Sequence, residues 1–242
     1  MYSIETNSLT KRYRDVLAVD GLDLKVREGE LFSLLGVNGA GKTTAVKMLS
    51  CLTAPSFGGA SVGGYDLLSE SEKIKKIIAI SPQETAVAPN LTARENLELI
   101  CGVHGFGKDR AREKIADLSD RFGLSDILGR KAGKLSGGWQ RRLSIAMALI
   151  SEPKILFLDE PTLGLDVIAR SELWDIISDL KGRTTVILTT HYMEEAEKLS
   201  DRIGIMKNGR LLTVGTAKEI MEMTGKDRFE DAFVSVVRGC EA

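Results

Sequence analysis

Residues 36–43 read GVNGAGKT, and they decide the fold. They match G-x-x-x-x-G-K-[ST] in full. Glu30 to Leu35 reads as a short buried strand entering this loop, and Lys42 to Leu52 as the helix leaving it. Gly36, Gly39 and Gly41 allow backbone conformations that aim successive N–H groups at an anion. The helix adds its positive N-terminal end. In such a cradle, residues Asn38, Gly39, Ala40, Gly41, Lys42, Thr43 and Thr44 surround a polyphosphate. Lys42 reaches the β- and γ-phosphates, the Thr43 hydroxyl ligates Mg²⁺, and Thr44 adds a second hydroxyl. No N-K-x-D guanine-reading sequence occurs, which favours ATP over GTP.

Hydrolysis needs a carboxylate facing that loop. The run ILFLDE (155–160) supplies one. Four apolar residues in a row fit a parallel strand buried on both faces, and ligands gather at the carboxyl ends of such strands. Asp159 is expected to hold Mg²⁺ through water, as a Walker B aspartate does, and Glu160 to polarise the attacking water. ILTTH (187–191) places His191 at another strand end. A lone histidine is more often structural, but a place beside the Asp159 strand makes it a γ-phosphate sensor. His104 has no such context.

Further out, strands alternate with helices, which implies a parallel sheet covered on both faces. Leu22 to Val26 alternates as a strand before the Glu28-Gly29 turn. Ser69–Glu72 and Thr92–Glu95 both fit the S/T-x-x-E capping box, and Thr216–Glu219 caps another helix. Asn208-Gly209 between apolar runs marks a hairpin. Arg170 to Leu180 reads as an amphipathic helix. A mostly helical block from about Glu95 to Ile150 interrupts the alternation and reads as an insertion.

Composition narrows the function. The 242 residues are 43% hydrophobic and 28% charged, with a net charge of −1, so there is no polybasic footprint and no nucleic-acid partner is expected. The Lys73–Lys75–Lys76 cluster and the Arg141–Arg142 pair read as solvated helix faces. Cys51, Cys101 and Cys240 are scattered and read as free thiols in a reducing compartment. The N-terminus lacks the apolar core of a signal peptide. No run of about 18 apolar residues could cross a membrane.

The stretch LSGG (135–138) opens the run Trp139 to Ile150 and makes a second anion site with Ser136 at a helix start. Two cradles and a single lysine-bearing loop point to a second molecule's nucleotide. The order GVNGAGKT, Gln83, LSGG, ILFLDE, LGLD (163–166) and His191 resembles the ATP-binding cassette (ABC) transporter ATPases over nearly the whole chain. That resemblance implies an α/β P-loop NTPase (RecA-like) core with a mostly parallel sheet, an N-terminal antiparallel β subdomain and an inserted α-helical subdomain. It places the core at 1–84 and 153–225, the helical signature unit at 85–152 and a C-terminal tail at 226–242. It implies a head-to-tail dimer, a homodimer being expected, with two ATPs sandwiched between one chain's loop and the other's signature. Tyr13 would stack on adenine, or only pack on the core. Gln83 would join Mg²⁺ and face a membrane subunit, or be an ordinary loop amide. Ser136, Gly137 and Gly138 would meet the γ-phosphate across the interface. Asp166 would link the two sites, or simply cap a helix. The sequence departs from the family pattern at Val37, at Trp139 (where Gln is usual) and at Thr43, which keeps the hydroxyl of the commoner Ser.

About ninety residues separate loop and signature with no heptad run, unlike the coiled-coil relatives that act on DNA. RKAGKLSGG (130–138) and FEDAFV (229–234) resemble drug- and polysaccharide-export cassettes. These pair with a separately encoded transmembrane permease and lie on the cytoplasmic face of the cell membrane. The rival is a soluble ABC-type ATPase for assembly, such as that of iron–sulfur clusters.

Overall fold

A computed structural model describes residues 1–239; Cys240 lies outside the described residues. In chain order the elements are β1 (Tyr2–Tyr13), β2 (Val16–Leu22), β3 (Lys25–Arg27), β4 (Leu31–Leu35), α1 (Lys42–Leu49), β5 (Phe57–Val62), β6 (Tyr65–Asp66), α2 (Ser71–Lys75) and β7 (Ile78–Ser81). Three helices follow: α3 (Ala93–Val103), α4 (Lys108–Arg121) and α5 (Gly137–Leu149). The chain then alternates through β8 (Ile155–Asp159), α6 (Val167–Ser178), β9 (Thr185–Thr190), α7 (Met193–Leu199), β10 (Arg202–Lys207) and β11 (Arg210–Gly215), and closes with α8 (Ala217–Thr224) and α9 (Phe229–Gly239).

The central sheet has the order β11-β10-β4-β9-β8-β7, parallel except for the β10–β11 hairpin. Its inner strands show why continuous apolar runs were needed. Leu31, Leu156, Leu158, Val186 and Leu188 face the helices of the insertion, whereas Phe32, Leu34, Ile155, Phe157 and Ile187 face α1 and the second sheet. Period-two alternation thus feeds two cores from one strand. The second sheet is antiparallel, β2-β1-β5-β6 with β3 on β1. The α3–α5 block enters between the paired neighbours β7 and β8. A third cluster of Leu35, Ile203, Ile205, Ile220, Phe229 and Phe233 docks α8 and α9, so α9 is anchored by helix packing.

Two caps form as the sequence predicts. Glu95 N donates to Thr92 Oγ1 at 3.2 Å and Thr92 N to the Glu95 carboxylate at 2.7 Å; Thr216 and Glu219 repeat the box. The Thr92 backbone N–H holds the Glu95 carboxyl below its ordinary range. This half of the cap is therefore present at neutral pH and fades as pH falls through the lowered folded value. Replacing Thr92 by Ala is expected to cost about 1 kcal/mol, read as a lower denaturant midpoint at unchanged slope. The hairpin turn also forms, with Asn208 and Gly209 at φ 49 and 81.

Three expectations are corrected. Ser69 caps nothing: the Asp66 carboxylate takes Leu68 N, Ser69 N and Ser69 Oγ into a turn, and α2 starts two residues later behind Glu70. The Leu22–Val26 strand is broken, because Thr6 Oγ1 donates to Leu22 O and accepts from Leu24 N while Asp23 caps Ser8 N. Helix α1 stops at Leu49, and Cys51 turns the chain at φ 59.

Candidate active site

The carboxyl ends of β4, β8 and β9 open on one cleft of about 720 Å³. Asn38 through Thr44 line it, with Gln83, Glu160, His191, Leu163 and Asn208. Its floor is the glycine loop. A Cβ on Gly36 would run into the Met206 carbonyl, and one on Gly41 (φ 103) into that of Ala18, so only glycine lets the loop lie this close to its neighbours. The first turn of α1 has backbone N–H groups with no helical partner, available to phosphate.

Lys42 is 4% exposed. Its Nζ donates to Gly36 O at 2.7 Å and Val37 O at 3.3 Å and stands 3.5 Å from Glu160 Oε1. The loop's own carbonyls thus hold the ammonium inside the cradle. Glu160 Oε2 lies 2.8 Å from His191 Nδ1, which donates when that nitrogen carries the proton. One carboxylate therefore faces the lysine and the histidine at once. Its backbone is held by Glu160 N donating to Thr189 O and Oγ1, both at 3.1 Å, in a left-handed conformation at φ 48.

Asp159 sits one residue deeper. Its Oδ1 accepts from Thr43 Oγ1 at 3.1 Å and from the Thr189 hydroxyl. The Thr43 hydroxyl meets the Asp159 carboxylate and Gln83 lines the same cleft, so the donors on offer are a hydroxyl, a carboxylate and an amide carbonyl. Such a set fits a hard cation of the Mg²⁺ kind shared with a phosphate.

Other residues named from sequence lie elsewhere. Tyr13 is outside the cleft lining and 43% exposed, with Lys11 Nζ 4.9 Å from its ring centroid; Val16, its partner across the β1–β2 turn, does line the cleft. Ser136 is the N-cap residue of α5 with its hydroxyl uncommitted, and Ser136 and Gly137 are exposed away from the cleft. Gly138 is close-packed, a Cβ there meeting Ala169 at 3.1 Å. Asp166 caps α6, accepting from Ile168 N and Ala169 N at 3.0 Å each.

The arginine pair corrects a sequence expectation. Arg141 is 4% exposed, not solvated. Its guanidinium donates to Pro82 O at 2.6 Å and to Gln83 O, tying the signature helix to the loop that carries Gln83. Arg142 pairs with Glu172 and lies over the Trp139 ring. Sequence reasoning also missed that Val16–Ala18 and Asn208 line the cleft, and that the buried Thr189 hydroxyl donates to Asp159, because each is placed by strand pairing between distant parts of the chain.

A phosphate cradle with a carboxylate held opposite its lysine defines the class, a P-loop nucleoside-triphosphate hydrolase. Residues 19–163 match the family described as ABC transporter. The daunorubicin resistance ATP-binding protein DrrA3 of Streptomyces coeruleorubidus is 44% identical over 229 residues, which are 94% of this chain and 72% of that relative. The Nod factor export ATP-binding protein I of Burkholderia thailandensis is 41% identical over 90% of this chain and 72% of its own length. Among solved structures, a dimeric ATP-binding cassette in a post-hydrolysis state with ADP and Pi superposes with a TM-score of 0.79 at 26% identity, covering 88% of this chain and 98% of that one. The chain belongs to the ABC transporter ATP-binding family, and it is an ATPase subunit of that family. No helix among the described residues is long and apolar enough to cross a membrane.

Proposed function

We propose that this chain powers an exporter as one of two cassettes bound to a separately encoded transmembrane subunit on the cytoplasmic face of the membrane. The observation that carries this reading is the split of the site. Lys42, Glu160 and His191 converge on the cleft, whereas the Ser136–Gly137 face lies exposed outside it. A second copy's signature would complete the cradle of the first. The relatives' roles in drug resistance and Nod factor export favour outward transport.

In this reading residues 1–84 and 153–225 bind nucleotide, 85–152 carry the signature and 226–242 form a tail. Lys42 and the α1 N-terminus bind the β- and γ-phosphates. Glu160 accepts a proton from the attacking water, and His191 orients Glu160 and contacts the γ-phosphate. Thr43, Asp159 and Gln83 would hold Mg²⁺, which when bound neutralises phosphate charge. Arg141 carries movement of the Gln83 loop to the signature helix.

Dilution tests the shared site. Activity per chain should fall once the concentration drops below that at which two cassettes associate; activity that stays flat to high dilution would sink the sandwich. A pull-down from detergent-solubilised membranes tests the partner. Recovery of a multi-span protein supports transport, and recovery of soluble partners alone supports the assembly ATPase.

A further inference from the structure

A second carboxyl lies behind the Glu160–His191 pair, and the hydrolysis just described does not use it. Glu195 on α7 is fully buried. Its Oε1 accepts from Thr162 Oγ1 at 2.7 Å and from Trp174 Nε1 at 3.1 Å. Both donors are buried too. Oε2 is left without a hydrogen bond, with the Thr190 hydroxyl nearby.

A carboxyl in a dry core is costly, and an apolar side chain would fill the space without that cost. Its contacts supply a reason for its presence. Thr162 follows Glu160 by two residues, Trp174 lies on α6, and α7 itself follows His191. One oxygen therefore fastens the loop after the hydrolytic carboxylate to α6, from the helix after the histidine. Glu160 needs such fastening. A left-handed conformation is unfavourable for a residue with a Cβ and persists only where the surroundings over-determine it. Thr189 fixes the loop at Glu160 N, and the Leu163 N–Glu160 O bond at 3.2 Å closes its turn. Thr162 Oγ1 is the side-chain anchor on the far side of that turn.

We propose that Glu195 is a positioning residue for ATP hydrolysis: by gripping Thr162 Oγ1 against α6, it holds the Glu160 backbone in the conformation that aims its carboxylate into the cleft. This rests on the reading of Glu160 as the base. Burial pushes the Glu195 carboxyl up, against the opposing pull of the Thr190 and Thr162 hydroxyls, the Trp174 indole and the Arg170 guanidinium. The neutral acid that burial favours has the shape and acceptor oxygen of glutamine.

The test compares kcat and KM for ATP in the full chain carrying Glu195→Gln, Glu195→Ala, Thr162→Val or Glu160→Gln. A small misplacement of a reacting group costs up to about 10²-fold in rate, so Glu195→Ala and Thr162→Val should lower kcat by about 10–10²-fold with KM within about twofold. Glu195→Gln keeps the bond and should stay within about threefold of the unmodified kcat. If Glu195→Ala does not fold, the near-isosteric Thr162→Val decides alone. Full kcat in Thr162→Val, a Glu195→Gln as impaired as Glu195→Ala, or a KM that rises in step with the fall in kcat overturns the proposal. If only Glu160→Gln is inactive, the positioning role fails and the base stands. If Glu160→Gln turns over normally, both fail.

Discussion

Glu160→Gln should lower ATP turnover by about 10²–10⁴-fold, the usual worth of general-base help, while ATP still binds. The two effects separate because of what Glu160 touches. Its carboxylate meets His191 Nδ1 at 2.8 Å and stands 3.5 Å from Lys42 Nζ. Glutamine keeps the shape and one acceptor oxygen for His191 but cannot take a proton from water. Lys42 keeps its bonds to Gly36 O and Val37 O, so the cradle stays in place. Removing one of two adjacent carboxylates from a site that receives a polyphosphate also lowers repulsion. ATP affinity should therefore be equal or tighter, and nucleotide should be retained unhydrolysed. Phosphate release and equilibrium ATP binding, measured together, check this. Wild-type phosphate release would show that another group takes the proton, and lost binding would show that the carboxylate holds the cradle.

How far the sequence carried this site follows from how local each feature is. GVNGAGKT and ILFLDE were legible because their chemistry is written in consecutive residues and their strands must be apolar on both faces. Thr92 and Glu95 were legible for the same reason, a cap being made within four residues. The same S/T-x-x-E spacing failed at Ser69, where Asp66, three residues earlier, offered the backbone a better acceptor. Arg141 was misread because a buried and a solvated arginine have identical neighbours in sequence; only the packing of α5 under the Gln83 loop separates them. Glu195 was invisible among Glu194 and Glu197, since its partners are 33 and 21 residues away. The strand break at Asp23 likewise depends on Thr6, 18 residues before Leu24. Arg141, Glu195 and the break at Asp23 were left unread because they depend on contacts far along the chain, whereas at Ser69 a nearer acceptor outcompeted the cap.

Lys42→Ala should have the largest effect on binding itself. The ammonium is inside the loop, held by two loop carbonyls and close to Glu160. There it is placed to make a buried charge-assisted contact to phosphate. Hydrogen bonds to charged groups contribute roughly 1.5–3 kcal/mol each, so the loss of one or two such contacts should weaken ATP binding by about 10²-fold or more. Alanine also leaves the Glu160 carboxylate without the ammonium 3.5 Å away when the polyphosphate arrives, which adds to the penalty. Lys42→Arg should not restore affinity, because a planar five-donor fork does not replace a compact ammonium where Gly36 O and Val37 O already fix its place. The control is AMP. It lacks the β- and γ-phosphates, so its affinity should be nearly the same in all three proteins. Equal losses for ATP and AMP would mean that Lys42 shapes the loop and does not bind the terminal phosphates; a selective loss for ATP would place its charge where the cradle's geometry puts it.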